Sequence, residues 1–396
     1  MTSTSKLIGC FVYLLMAVEA MEEQVQSAIL RQSVIVFSEG ISTPSKSDWT
    51  QDQHWVQKIG SGNLHMKGKE QLRSLGEMQR RGMDAGGLMS LMEKDVVVYT
   101  QDRNISIIGS YYFLQGLFTS KPASSNGNGV TDPTGKMTYD PVVPMLLDVP
   151  IITNHNKYDP VLMVVGPTCP NLYQGVTKFK ETEIYKKLDS NYSQFISKLS
   201  SKVYTSTQKK VSSLEDAVSF FEYFISEQLI NGATEVELSE ADVKTLTQLH
   251  SSYRYHENFA SLQVAQGGTT MLMNQIKKDF LDKANIEFRV DSDKESLFRS
   301  NKNKLVTVYS ASSTVLANLL INLNLTSPEC TQFDAESRLN KCAAWPHFGS
   351  LFRMDLYEVP STSTFFVRIY YNGDQQSFGY LTRGPLDIPL HRVIGA

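Results

Sequence analysis

The stretch 34–44, Val-Ile-Val-Phe-Ser-Glu-Gly-Ile-Ser-Thr-Pro, constrains the fold more than any other part of the chain. Four consecutive large apolar residues, three of them β-branched, run into a short polar loop that Pro44 closes. An uninterrupted apolar run of this kind reads as a buried strand, and the residues after it read as the loop it delivers. In open α/β sheets, ligands sit beyond the carboxyl ends of such strands, so this loop is where reacting groups would stand. Its side chains are poor candidates for the work. Ser38 and Ser42 have no histidine close in sequence to activate them, and Glu39 would repel an anion.

The rest of the chain supplies the partners that such a strand needs. Residues 49–62 are polar and aperiodic, which predicts a surface loop. Leu72, Leu75 and Met78 fall at helical spacing within 64–81, and a second short apolar strand follows at 96–99. A helix is expected over 107–118, a Gly/Asn/Ser/Pro-rich loop over 124–134, and strands at 142–147 and 161–165. Between 176 and 248 the pattern changes to charged, helix-periodic sequence without β-branched clusters, including 183–199 and 214–229. The first pattern then returns, with a helix at 272–280, a strand at 305–309, a loop at 310–314, a helix from Val315, and paired strands at 352–359 and 365–371. Alternation of strands and helices at both ends predicts an α/β core interrupted by a helical insertion.

Composition and targeting signals narrow the setting. A length of 396 residues with 41% hydrophobic content supports a large core. A net charge of −3 and the absence of any Lys/Arg tract exclude nucleic acid as the expected partner. Lys6 precedes the apolar run 7–17, and Val18-Glu19-Ala20 offers small residues for a signal peptidase, so residues 1–20 read as a signal peptide. The run is too short to span a bilayer, and no transmembrane helix is expected after cleavage. The expected destination is the secretory pathway, either extracellular or a lysosome- or vacuole-like lumen. Asn104, Asn191 and Asn324 each open an N-glycosylation pattern. Cleavage leaves Cys169, Cys330 and Cys342; the last two flank a polar stretch and are the expected disulfide, with Cys169 read as a buried, inert thiol. None of the seven histidines shows metal-ligand spacing, His250 and His256 read as surface residues, and no phosphate-cradling glycine loop is present. No metal or cofactor is expected.

With these features in place, the chain resembles the histidine acid phosphatases, the branch of the histidine phosphatase superfamily that includes prostatic and lysosomal acid phosphatases. Residues 34–44 are similar to that family's strand and its Arg-His-Gly-x-Arg-Thr-Pro motif, keeping Gly40, Thr43 and Pro44. Leu64, Gly68, Gln71, Leu75, Gly76 and Arg80 fall on its Leu-Thr-x-x-Gly-x-x-Gln helix pattern. Gln266-Gly267-Gly268 and Tyr309-Ser310-Ala311 also fit, the latter where the family has Tyr-Ser-Ala-His-Asp-Thr-Thr. The resemblance implies a central mostly parallel sheet with helices on both faces, formed by 21–175 and 262–396. It also implies a mostly helical cap inserted at 176–261, and a homodimer as an available state.

The departures fall on the chemistry. Ser38, Glu39 and Ser42 stand where the family has Arg, His and Arg, and Ser312 and Ser313 stand where it has His and Asp. Arg103 is the nearest counterpart to a further family arginine after the second strand, and would be the residual anion-binding group. In the family, an imidazole nitrogen attacks a phosphomonoester, cations stabilise the charge on the transferring group, and an Asp protonates the leaving oxygen. That acid alone is typically worth about a hundredfold or more. A carboxylate about 4 Å from one phosphate charge costs on the order of 4 kcal/mol at an effective dielectric near 20. The expectation is a catalytically inactive phosphatase-like protein with a binding or structural role toward an unidentified protein or small-molecule ligand. The competing expectation is a phosphomonoesterase of residual or altered activity that uses Glu39 or Arg103.

Overall fold

The computed structural model describes residues 28–44, 59–88, 90–119, 148–155, 159–162, 178–259, 262–286, 300–326, 345–376 and 386–395. In chain order its elements are β1 (Ile29–Phe37), α1 (Met66–Ala85), β2 (Val96–Gln101), α2 (Asn104–Thr119), β3 (Ile151–Asn154), α3 (Glu183–Thr207), α4 (Leu214–Asn231), α5 (Glu240–Asn258), α6 (Leu262–Lys283), β4 (Val306–Ser310), α7 (Ser313–Asn322), β5 (Leu351–Val359), β6 (Thr364–Tyr371), β7 (Asp374–Gln376), β8 (Ile388–Pro389) and α8 (Leu390–Gly395). The strands form one sheet in the order β3-β2-β4-β1-β5-β6-β7, with β8 on β6.

The apolar run in β1 is continuous because both faces of the strand are covered. Val34 and Val36 point into a core shared with residues of α6 and α7, including Leu272, Ile276 and Leu316. Ile35 and Phe37 point into the opposite core with Leu72, Phe113 and Leu117 of α1 and α2. Phe37 stacks on Phe113 with ring centroids 4.7 Å apart. Each such buried side chain contributes roughly 1.5–3 kcal/mol of transfer free energy, which makes β1 the anchor of both layers.

Among the described residues, parallel pairing is confined to β1, β4, β2 and β3. The C-terminal strands β5, β6, β7 and β8 join antiparallel, so the sheet is mixed, with helices on both faces. In register, Phe37 and Thr100 both pair with Ser310, which brings the carboxyl ends of β1, β2 and β4 to one level. The loop 38–44, Arg103 and the start of α7 all emerge there.

Helix α1 is seated under the 38–44 loop by close backbone approach. A Cβ on Gly68 would lie 2.1 Å from the Ile41 carbonyl oxygen, and one on Gly76 would lie 2.0 Å from that of Phe113. Only glycine permits those contacts.

The helices α3 to α5 pack around a core of their own that includes Leu199, Phe220, Phe224 and Leu246. Sequence signals set their ends. Thr182, Ser213 and Ser239 accept N-cap hydrogen bonds, and Gly232 stops α4 at φ 77°. Asp242 anchors α5 to α3 through Lys198 and Lys202 at 2.7 and 2.6 Å.

Three sequence expectations change. Of the strand expected at 161–165, residues 161–162 form a turn and 163–165 lie outside the described residues, as does the 142–147 strand, while a strand stands at Ile151–Asn154, where none was expected. The α7 helix starts at Ser313, inside the stretch read as loop, because Ser312 takes the extended N-cap conformation. His250 and His256, read as surface residues, are each only 4% exposed. The signal peptide, Cys169, Cys330 and Cys342 lie outside the described residues, whereas Asn104, Asn191 and Asn324 are all exposed. Among the described residues, no helix is long and apolar enough to cross a membrane, and no three or more His, Cys, Asp or Glu side chains cluster as a metal site.

Candidate functional site

A cavity of about 310 Å³ opens where the ends of β1, β2 and β4 face α4 and α5. Five of the six positions singled out from sequence line it: Glu39, Ser42, Arg103, Ser312 and Ser313. Ser38 does not. Its side chain is fully buried, where Oγ donates to the His347 carbonyl at 2.7 Å and accepts from the Ser350 N–H at 3.0 Å. With Ser38 N–H to Ser350 O and Gly349 N–H to Glu39 O, it fastens the 345–350 segment to the end of β1. At this position the side chain is a structural clamp.

On the sheet side, Arg103 Nη1 donates to Glu39 Oε1 at 2.6 Å. The Glu39 side chain is 12% exposed and that of Arg103 is 40% exposed, so the carboxylate is inside and the guanidinium is at the mouth. The backbone N–H of Ser313 also bonds the Glu39 carboxylate. That N–H is the first of α7, one of the unpaired donors at a helix N-terminus where an anion is favoured. Burial nevertheless raises the Glu39 pKa above its ordinary value, against the opposing pull of Arg103 and of the Ser313 N–H. The protein's own carboxyl group thus fills the seat that the strand ends and the helix terminus would offer an external anion.

On the opposite side stands a second set, from the cap helices. Glu222 and Ser226 lie one turn apart on α4, and His250 and Arg254 one turn apart on α5; all four line the cavity. Glu222 Oε1 bonds Arg254 Nη2 and sits 3.4 Å from His250 Nε2, while Arg254 Nη1 donates to Glu257 at 2.8 Å. Burial opposes ionisation of Glu222, but the hydrogen bond from His250 and the charge of Arg254 outweigh it and bring its pKa down to about 2. Burial pushes the His250 pKa down to about 4 in spite of Glu222, so the imidazole is neutral at pH 7. Its ring packs on Phe221 with centroids 4.6 Å apart.

The sequence reading missed this second set. The available signal was periodicity: two polar pairs at i,i+4 spacing, each on one helix face.

A cavity at the carboxyl ends of parallel strands, faced by an inserted helical layer, defines a capped α/β protein. The chain belongs to the histidine phosphatase superfamily, branch 2, whose family profile matches residues 17–372. Among solved structures it is similar to the apo phytase of Hafnia alvei, with a TM-score of 0.63 at 15% identity, covering 93% of this chain and 97% of that one. It is also similar to the Citrobacter braakii phytase, with a TM-score of 0.59 at 16% identity, covering 87% and 85% of the two chains. A third match is the Bifidobacterium longum multiple inositol polyphosphate phosphatase in complex with inositol hexasulfate, with a TM-score of 0.56 at 11% identity, covering 93% and 92%. At these identities the likeness is one of fold. No curated protein sequence gives a significant match.

Proposed function

We propose that this protein is a catalytically silent member of its superfamily, a pseudophosphatase that acts as a binding or structural component in the secretory pathway or beyond it. The observation that carries this reading is the Glu39–Arg103 pair, with Glu39 also on the Ser313 N–H. An arriving phosphomonoester would meet a carboxylate already in place and an arginine already committed to it. The positions at the end of β1 and the start of α7 hold Glu39 and Ser312 and no histidine, and the imidazole that lines the cavity beside them is that of His347, on the 345–350 segment. Phosphoryl transfer depends on positioned cations and on a nucleophile aligned with the phosphorus, and neither is provided on this wall.

One feature favours residual activity instead. His250 is neutral, oriented by Glu222, and lines the same cavity, which is the arrangement of an activated nucleophile. Its Nδ1 is closed off from solvent, however, and the neighbouring Arg254 is held by two carboxylates.

The test is hydrolysis of an aryl phosphate from pH 4 to 8 by the native protein, His250→Ala and Glu39→Gln. The silent reading expects background rates from all three. Native turnover lost in His250→Ala, or in Glu39→Gln, would replace it with an enzyme that uses the corresponding side chain.

A further inference from the structure

The three N-glycosylation patterns stand in different places. Asn191 lies on α3 and Asn324 just after α7, and neither they nor their chain neighbours line the cavity. Asn104 opens α2 between Arg103 and Ile105, both of which line it, and the Arg103 guanidinium is at the mouth. The Asn104 side chain is exposed, and its Nδ2 donates to Asn63 Oδ1 at 3.4 Å. Asn63 follows Gly62, which lines the same cavity. The atom that would carry a glycan therefore sits on the rim and faces a loop that forms part of it.

The hydroxyls that complete the patterns differ as well. Acceptance of a glycan needs a Ser or Thr two residues after the asparagine. Ser193 is exposed and its Oγ donates to the Ser190 carbonyl at 3.0 Å, and the Thr326 side chain bonds Tyr255. Ser106 is 0% exposed, and its Oγ has no partner among the described residues. Its carbonyl, not its hydroxyl, is the bonded group, accepting from Ser310 Oγ at 3.0 Å and Ser110 Oγ at 2.8 Å. A buried hydroxyl without a partner costs stability, and an alanine would fill the same space without that cost. The Ser106 hydroxyl thus gives the folded chain nothing that a methyl group would not, and its use falls before folding, while the pattern is still open to a transferase.

We infer that Asn104 carries an N-linked glycan, attached before α2 packs against β4, and that this sugar chain covers the mouth of the cavity. The donor is a lipid-linked oligosaccharide diphosphate of the secretory pathway. The bond from its anomeric carbon to the diphosphate oxygen breaks and the electron pair leaves with the diphosphate. A bond from the same carbon to Asn104 Nδ2 forms, and Nδ2 gives up one proton. The second Nδ2 hydrogen remains for Asn63. The inference rests on the secretory part of the proposed function and not on the silence of the site. A glycan is bulky and stays in solvent, so a covered mouth turns any protein partner away from this face and leaves the cavity to small solutes.

The test is expression of the full chain with its own leader in a secreting eukaryotic host. Enzymatic glycan release in heavy-oxygen water converts each occupied asparagine to a labelled aspartate, which mass spectrometry locates. Asn104 is labelled. Ser106→Ala, which deletes one oxygen and keeps Asn104, leaves that position unlabelled, with a urea midpoint no lower than that of Asn104→Gln. Phenylglyoxal reads the cover: Arg103 reacts at least about threefold more slowly in the glycosylated protein than in Asn104→Gln, while the exposed Arg392 reacts alike in both. Label at Asn191 or Asn324 with Asn104 bare overturns the inference and keeps the secretory reading. All three bare overturns the inference, and an uncleaved leader besides removes the secretory reading. Equal reactivity of Arg103 in the two proteins overturns the cover, and a lowered midpoint in Ser106→Ala overturns the role given to its hydroxyl.

Discussion

The two walls of the cavity each carry an arginine and a carboxylate, yet the carboxylates titrate in opposite directions. Glu39, on the sheet wall, has its pKa raised, and Glu222, on the cap wall, has its pKa lowered to about 2. Burial pushes both the same way. The difference lies in how deeply each is buried and what faces it: Glu39, 12% exposed, has one guanidinium, itself 40% exposed at the mouth, beside the Ser313 N–H, while Glu222, 36% exposed, is held by both Arg254 and His250. An ion pair is therefore not one kind of object: its worth depends on how far the partners offset the desolvation of the buried member. The sheet wall carries a pair that blocks a site, and the cap wall carries a pair that holds a helix interface together.

The largest break in this comparison is expected at Ser38. Because its hydroxyl is fully buried and bonded to the 345–350 segment, Ser38→Arg introduces both excess volume and an unpaired charge, costing more than about 3 kcal/mol. Ser42→Arg, at the cavity lining, should cost about 1 kcal/mol or less. Urea denaturation of the two variants separates a structural position from a site position, and equal costs would erase that distinction.

Next in size are the arginines. Arg254→Ala leaves Glu222 and Glu257 facing each other and should cost about 2–3 kcal/mol, below the usual loss for a buried pair because Glu222 keeps about a third of its surface in water. Arg103→Ala should cost about 1 kcal/mol or less, since Glu39 can take up a proton once its partner is gone. A reversed order would mean that the sheet pair, and not the cap pair, carries the stability.

The smallest effects are slopes against pH. The depressed pKa of Glu222 contributes stability that is present above its ordinary value of 4.5 and lost as pH falls toward 2. His250, held neutral, adds stability that is lost as pH falls from 6.5 toward 4. Glu39 runs the other way: folded protein binds its proton more tightly than unfolded chain, so stability declines as pH rises above 4.5. His250→Phe should flatten the slope between pH 4 and 6.5, and Glu39→Gln should steepen the net rise with pH just above 4.5. Denaturation midpoints measured at half-unit intervals check both.

Much of the scaffold was legible in the chain because the residues that build it do so locally. The apolar run of β1, the helical spacing on α1 and the caps of α4 and α5 follow from periodicity and end signals. The residues read from the sequence as shared with the family's motifs are scaffold residues too. Gln71 bonds the Ile41 N–H and the Phe348 carbonyl, Thr43 ties the loop to Gly60 and Asn63, and Gly68 admits the loop against α1. The site was legible only on the sheet wall, where the altered positions adjoin recognisable strand ends. Even there, the fastening role of Ser38 depends on a segment about 310 residues away and carries no local mark. The pairing of Glu39 with Arg103, 64 residues apart, follows from the aligned ends of β1, β4 and β2 and not from spacing. The cap wall was missed because His250 and Arg254 sit in charged helical sequence, where burial depends on which face meets the sheet.

The central claim is that the protein's own Glu39 carboxylate occupies the anion seat formed by Arg103 and the Ser313 N–H. Calorimetric titration with inorganic phosphate at pH 7 tests it most directly, on the native protein and on Glu39→Gln. The account predicts no binding to the native protein and a gain of weak binding, with Kd of about 1 mM, when Glu39→Gln frees both donors. Phosphate binding to the native protein that Arg103→Ala abolishes would show the seat to be open, and would contradict the account.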